Sequence, residues 1–520
     1  MDIADEIIDK STECVDGLID KSVKCVDSLI DKSAECVDGL ADKADEIFIQ
    51  VRSAFQKVLK IDQFNPNESF LALGGDSLMG FELINSIEQK LHIKLDLREL
   101  LRDSSVVGVT KYIHSVLSGR TGSKKAVNLP EECRLDDSIR CTAEYTKSAD
   151  ECRRIFLTGG TGFLGAQLIH SMFRYYPHDG LEIYCLVRAD SVEAAARRLE
   201  DNLKHYHLWR DGMDRYLHPV IGSLSEPKFG LDEKTWNAMV ERVEVICHSG
   251  AILNFIFPYE YLKTTIVGGT VETLRLACSG QAKYYHYVSS YSVFDTPANR
   301  GRYLSENTPP KSWKGFSLAY SQTKWVSEQL IRTAGERGLK AAIYRPGDIT
   351  GAANGIYEVN DMVSRMMVSM IQMQGVPFAH YNFHMTPVDY VAKALIVISR
   401  KDECFGHAFH LINPKPQSLR SLVGFIRGCG YRVRYIPFAA WKNRIKKSDA
   451  GKNAMVLLEC LFESGSESNP NVLWHFIGKD PVYGTSNTDL LLGHTGITCP
   501  EVDQKMIAAY LRYFKSKNYI

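Results

Sequence analysis

One short segment narrows the fold more than any other. RRIFLTGG (153–160) reads as an apolar strand and runs into Thr158-Gly159-Gly160-Thr161-Gly162-Phe163-Leu164-Gly165. An amphipathic helix follows from Ala166 to Tyr175. A strand, a glycine-rich turn and a helix in that order open a β-α-β crossover, which feeds a parallel sheet. The spacing is GxxGxxG. Such glycines permit a tight turn and let a pyrophosphate approach the backbone at a helix N-terminus, so the segment predicts dinucleotide binding. Four further apolar runs alternate with helical patterns: LEIYCLVRA (181–189), VEVICHSGA (243–251), YYHYVSSYSV (284–293) and KAAIYRPG (340–347). The fold class expected over residues 129–520 is therefore α/β, a doubly wound parallel sheet. Its core spans 150–350, and a smaller, mostly helical part covers 351–520.

Two residue patterns add chemistry to this frame. The second strand ends Leu186-Val187-Arg188, where NAD-preferring sites carry an acid for the ribose 2′-hydroxyl. An arginine there suits a 2′-phosphate by its charge and its planar fork of donors, which predicts NADPH, with Arg198 as a second contact. Farther on, Tyr320-Ser321-Gln322-Thr323-Lys324 places a tyrosine and a lysine four apart, on one face of a helix. A neighbouring ammonium is expected to lower the phenol's pKa and prepare it for proton transfer. Val288-Ser289-Ser290 ends the preceding strand with hydroxyls able to meet a substrate oxygen. His205, His207, His380 and His384 have no third ligand at a metal-binding spacing, so no metal is expected.

Upstream the character of the chain changes. Residues 1–48 repeat DKSTECVDGLI (9–19), DKSVKCVDSLI (20–30) and DKSAECVDGLA (31–41), a period of 11. That period keeps Cys14, Leu18, Cys25, Leu29, Cys36 and Leu40 near one helical arc, in phase with Val51 and Phe55. Such a stripe needs a cover, and self-association or docking of a partner is expected. Residues 49–117 read as a compact four-helix unit, in which LALGGDSLMGFELINSIEQKL places Ser77 at a helix start. SGRTGSKKAVN (118–128) reads as a linker. Lys+Arg and Asp+Glu both number 62, which argues against a nucleic-acid partner. The acidic start lacks the pattern of a signal peptide, and the acidic repeat argues against a membrane surface. The 13 scattered cysteines suit reduced thiols. A cytoplasmic protein is the expectation.

Taken together, these motifs carry a resemblance. Residues 129–520 resemble the thioester reductase domains that terminate nonribosomal peptide and polyketide assembly lines. The same domain type occurs in aminoadipate reductases and carboxylic acid reductases, all extended short-chain dehydrogenase/reductases. The matching pieces are GGTGFLG (159–165), CLVRA (185–189), HSGAILN (248–254), GGTVETLRLA (268–277), VSSYSVF (288–294), AYSQTKWVSEQL (319–330), YRPGDITG (344–351) and PVDYVAKAL (387–395). The resemblance implies a Rossmann-like fold, with Ser290, Tyr320 and Lys324 as catalytic trio. It implies a cofactor site of Gly159, Thr161, Gly162, Phe163, Leu164, Gly165, Arg188, Arg198 and Leu224. Residues 49–117 are similar to an acyl or peptidyl carrier protein. There LGGDSL (73–78) is the attachment motif for 4′-phosphopantetheine, with Ser77 the modified serine. Two positions depart from the family pattern. Ile266 stands where an asparagine usually braces the active-site helix or its water, and Gly222-Ser223-Leu224 stands for Gly-Asp-Leu near the adenine edge.

The activity so implied is NADPH-dependent reduction of an acyl or peptidyl thioester held on Ser77, releasing an aldehyde, with further reduction to an alcohol left open. The implied partners are a phosphopantetheinyl transferase and a separate ligase or synthase that loads the acyl group, since residues 1–48 are too few for a loading domain. Two other readings stay open: non-redox release or cyclisation of the tethered chain, and a carrier or scaffold with a decayed reductase.

Overall fold

The computed structural model describes residues 46–75, 77–118, 127–316, 318–353, 355–358, 361–447 and 480–520. The eleven-residue repeats and most of the linker lie outside the described residues. What is described falls into two compact units, one on each side of residues 119–126.

The first unit is helical. Helix α1 (46–59) buries Val51, Ala54, Phe55 and Val58, the stripe expected of a half-buried helix. Helices α2 (Ser77–Leu91), α3 (Leu97–Leu100) and α4 (Val106–Leu117) close over it with Leu83, Ile84, Ile87, Leu100, Val109 and Ile113. Phe70 packs edge-on to Phe55, with centroids 5.3 Å apart. Ser105 caps α4 by accepting a 2.9 Å hydrogen bond from the Gly108 N–H. The turn into α2 requires its two glycines. Gly74 sits at φ +93°, and a Cβ on Gly75 would fall 2.3 Å from the Phe70 ring.

The second unit is a seven-stranded parallel sheet. In chain order its strands are β1 (Arg154–Thr158), β2 (Glu182–Val187), β3 (Leu217–Ile221), β4 (Val245–His248), β5 (Tyr284–Val288), β6 (Ala341–Pro346) and β7 (Ala408–Leu411). Their order across the sheet is β7-β6-β5-β4-β1-β2-β3, and every pairing is parallel. Side chains alternate between two cores. Ile155 and Leu157 of β1 face one apolar cluster, and Phe156 faces the other. The first cluster holds Leu168 of α5 (Phe163–Tyr175) and Leu395 of the helix Val388–Ser399. The second holds Leu274 of α8 (Tyr259–Ala277) and Leu330 of α9 (Ala319–Glu336). The intervening helices are α6 (Val192–His205) and α7 (Glu233–Arg242). Strand order reverses between β1 and β4, so the crevice of a doubly wound sheet opens beyond their C-terminal ends.

The structure departs from the sequence reading in three places. Strand β3 is not among the apolar runs read as strands; its LHPVI carries Pro219, which an edge strand tolerates because the missing N–H faces away from the ladder. The sheet also continues past residue 350, since β7 pairs with β6 and the helix Val388–Ser399 packs on α5. Finally, the region after 350 adds short strands to its helices. Short pairings join Asp348–Thr350 to Met385–Pro387, Asn382–Phe383 to Gln417–Ser418, and Val482–Tyr483 to Tyr303–Leu304. Two- and three-residue strands leave no periodicity to read.

Candidate active site

A cleft of about 780 Å³ opens at the C-terminal ends of the strands. The glycine turn forms one wall. Gly159 sits at φ +79°, and a Cβ there would fall 2.9 Å from Gly250 of the loop after β4. A Cβ on Gly165 would fall 2.0 Å from the Gly159 carbonyl oxygen, so α5 begins as close to the turn as glycine allows. Gly162 caps α5 without a side chain, leaving the helix N-terminus facing the cleft, where backbone N–H groups and the helix dipole favour an anion. The Asn202 amide donates to the Gly160 and Gly162 carbonyls at 3.3 and 3.2 Å and braces the turn.

The other cofactor candidates line the same cleft: Thr161, Phe163, Leu164, Arg188, Arg198 and Leu224. Arg188 and Arg198 are exposed at its mouth, and the Arg198 guanidinium donates to the Arg188 carbonyl. Arg198 thereby holds the backbone that presents Arg188. Leu224 is fitted between Gly250 and Gly269, where added Cβ atoms would fall 2.5 and 3.0 Å from it. A turn only glycine can make, an open helix N-terminus and two arginines at its rim fit a phosphorylated dinucleotide.

Ser290, Tyr320 and Lys324 line this cleft as well. Ser290 follows the end of β5 and caps a short turn, its Oγ accepting from the Ser292 N–H at 3.1 Å. Tyr320 lies in the first turn of α9. Lys324, 2% exposed, donates from Nζ to the Val288 carbonyl at 2.7 Å, and its ammonium lies 5.8 Å from the Tyr320 ring centroid. The helix face carrying Tyr320 and Lys324 is thus pinned to the strand that leads into Ser290.

The electrostatics differ from the sequence expectation. Burial pushes the Tyr320 phenol up rather than down. Burial also lowers Lys324 to about 7, with Glu328 opposing. In a dry site the desolvation of two ionisable groups outweighs their mutual effect. Tyr320 therefore holds its proton at neutral pH, as a hydrogen-bond donor must.

Below the trio lies a buried polar network that the sequence did not announce. Glu328 and Arg345 are both fully buried and form a two-point ion pair at 2.8 and 2.7 Å. Glu328 also accepts from Ser289 Oγ at 2.6 Å. Arg345 Nη1 meets His410 Nε2 at 3.2 Å, and His410 Nδ1 meets the Gly484 carbonyl at 2.9 Å. Burial lowers His410 to about 3, so it is neutral, donates from Nδ1 and accepts from Arg345. Glu328 follows Lys324 by four residues, one signal that a second charge shares that helix face. A similar buried chain runs through Thr158, His248 and Thr270. Thr158 Oγ1 meets His248 Nδ1 at 2.7 Å and accepts from the Gly250 N–H at 2.9 Å. Ile266 is fully buried, and its carbonyl accepts from Thr270 at 2.7 Å. Among the described residues no His, Cys, Asp and Glu group of three or more is arranged to hold a metal. No described helix is long and apolar enough to cross a membrane.

Ser77 is the first residue of α2, two residues after Gly75. Met366 lines the cleft, whereas Met370 and Phe383 are buried in the core.

Residues 157–395 match the family described as "Male sterility protein", an NAD-binding family, and residues 50–113 match "Phosphopantetheine attachment site". The chain is 30% identical over 476 residues to a linear gramicidin synthase protein of Brevibacillus parabrevis, covering 90% of this chain and 9% of that protein. It spans 9% to 46% of the length of the first curated relatives it matches. It is also similar to the crystal structure of the terminal R domain from the myxalamid biosynthetic pathway. That likeness is 32% identical, with TM-score 0.69, and covers 76% of this chain and 99% of that one. A thiolation-reductase di-domain from an archaeal nonribosomal peptide synthetase shares the fold over 91% of this chain and 98% of its own, with TM-score 0.63 at 18% identity.

Proposed function

The chain belongs to the family of terminal reductase domains of nonribosomal peptide and polyketide assembly lines, joined here to a phosphopantetheine attachment domain, and we propose that it reduces an acyl or peptidyl thioester carried on Ser77 to an aldehyde. The observation that carries the proposal is the convergence of Ser290, Tyr320 and Lys324 on the cleft that the glycine turn opens. NADPH bound along that turn would supply hydride, and the phosphopantetheine thiol on Ser77 would carry the acyl group. Arg188, held by Arg198, would meet the 2′-phosphate.

The chain's own groups divide the remaining work. Tyr320, protonated at neutral pH, donates a hydrogen bond to the thioester carbonyl as negative charge develops on its oxygen. Ser290 offers a second hydroxyl to the same oxygen. Lys324, fixed by the Val288 carbonyl, sets the electrostatics beneath Tyr320. A thiolate is a good leaving group, so no separate base is required for release. The loading enzyme and a phosphopantetheinyl transferase are the partners this reading calls for.

The presence of Tyr320 favours reduction over non-redox cyclisation, which needs no proton donor at that place. NADPH oxidation with a simple acyl-pantetheine thioester separates the readings. Oxidation with release of aldehyde is expected. Release of a cyclised or hydrolysed product with NADPH unchanged would overturn the proposal.

A further inference from the structure

The chain as a whole is neutral, with 62 Lys and Arg against 62 Asp and Glu, but the two signs are not mixed along it. Between Cys404 and Lys447 there are nine Lys and Arg and no Asp or Glu. Residues 1–45 hold 13 Asp and Glu against 5 Lys, and each repeat carries an acid at the same place, Asp16, Asp27 and Asp38. The basic stretch lies at the surface. Arg420 and Arg427 are seven apart in the helix Leu419–Gly428, so they share one face, and both are exposed. Arg427 donates from Nε to the Val433 carbonyl at 2.8 Å, and its guanidinium lies 5.4 Å from the Tyr435 ring centroid. Tyr435 stacks in turn on Phe378, with centroids 5.2 Å apart and planes 21° from parallel. Arg432 and Arg434 flank the buried Val433 and are exposed.

Two features mark this face as one that receives a partner. Among the described residues none of the four arginines is ion-paired, whereas the neighbouring Lys415 meets Glu501 at 3.2 Å. Like charges gathered on one face repel one another and draw an anionic partner. At their centre Phe378 is 72% exposed, and arginine beside exposed aromatic rings is the composition of an interface rather than of ordinary surface. The repeat has the matching chemistry, its acids together with Leu18, Leu29 and Leu40 at the same 11-residue spacing. A chain that carries both a surface and its complement can pair reciprocally with a second copy, and a two-fold arrangement makes the contact twice. A nucleic acid would meet the same arginines, but its phosphates would be repelled by the 13 acids of residues 1–45.

We infer that the face formed by Arg420, Arg427, Arg432, Arg434, Tyr435 and Phe378 docks the acidic repeat, residues 9–41, of a second copy of this chain. The contact is mainly electrostatic, with the Tyr435–Phe378 stack as its apolar centre. It is independent of the reductase reading, since it uses no residue of the cleft.

The test is light scattering on the full chain at about 50 μM protein and about 50 mM salt, where a mass of twice 58.5 kDa is expected. At about 500 mM salt, where exposed charges are screened, the dissociation constant should rise about tenfold or more. Charge reversal then identifies the two sides. One variant carries Arg420→Glu and Arg432→Glu, and the other carries Asp16→Lys, Asp27→Lys and Asp38→Lys. Each alone should be monomeric, because repeat and face now have the same sign. Mixed, they should form a one-to-one pair, because each repeat again meets a face of opposite sign. Thermal melts followed by circular dichroism check that both fold, and the milder Arg420→Gln with Arg432→Gln, expected to weaken pairing about tenfold, serves if the first variant does not. A monomeric wild type at low salt, a pair indifferent to salt, a pair that a folded variant keeps, or no pair on mixing would each overturn the inference. So would a raised mass that nuclease removes, which would assign the face to nucleic acid.

Discussion

Tyr320 and Lys324 show how burial reverses a simple pair argument. Four-residue spacing correctly puts both on one face of α9, but spacing says nothing about dielectric. Burial pushes Tyr320 up and lowers Lys324 to about 7, so the pair holds a protonated phenol beside a lysine near its titration point. Replacing Tyr320 by Phe keeps the ring and removes the donor. Thioester reduction should fall by about 10²–10⁴ in kcat while NADPH still binds, measured by stopped-flow and by nucleotide fluorescence titration. Lys324 has a signature in stability. Its folded pKa lies below its unfolded one, so the cost of burying the ammonium is complete below pH 7 and fades as pH rises towards the unfolded value. Lys324→Met removes that cost. The melting temperature of the variant minus that of the wild type should be largest near pH 6 and shrink by pH 9. A difference flat across that window would contradict the lowered pKa. Arg188 offers a third residue-scale check: Arg188→Ala should erode the preference for NADPH over NADH mainly through KM, in steady-state kinetics with each cofactor.

The elements were legible where a strand was long and apolar. β1, β2, β4, β5 and β6 all fall inside the segments read from the sequence, because consecutive branched and aromatic residues mark strands buried on both faces. β3 and β7 were missed for physical reasons. β3 is an edge strand with a proline, and β7 lies beyond residue 350, where the regular alternation of strand and helix patterns breaks off. The glycine turn, α9 and the serines after β5 were legible because their chemistry is local in sequence. The cleft wall beyond Ser290 was not, since Tyr291, Asp348, Tyr381 and Asp480 come from four separate stretches joined by strands of two or three residues. One buried contact holds α9 to β6, the Glu328–Arg345 pair. Arg345→Met removes the two-point partner of Glu328 and leaves only the longer Arg332 contact at 3.6 Å; it should cost about 3–5 kcal/mol in urea unfolding, whereas the double variant with Glu328→Leu should recover much of that loss. A single variant no less stable than the double one would contradict a paired, desolvated charge.

At the scale of the molecule, the carrier and the reductase unit each have their own core, and the sequence separates them at a small polar segment. Tethering through a short linker gives an effective concentration near the millimolar range, so a weakly recognised acyl group is still delivered. The sequence of residues 1–48 repeats with an 11-residue period, and its apolar positions carry the expectation of self-association or partner docking. Deleting residues 1–44 should lower the mass seen by light scattering or slow reduction of a substrate loaded in trans; no change in either would leave the stripe without that role. On this reading Ser77 carries the acyl group that the Tyr320 cleft reduces. Its most direct test is a single-turnover experiment. The chain is loaded on Ser77 with β-alanyl-phosphopantetheine by a phosphopantetheinyl transferase, mixed with NADPH, and followed by absorbance and intact mass. The account predicts NADPH oxidised, aldehyde released and Ser77 returned to the free-thiol arm, with Ser77→Ala giving none of these. A fully loaded carrier that keeps its acyl group, or sheds it without oxidising NADPH, would contradict it.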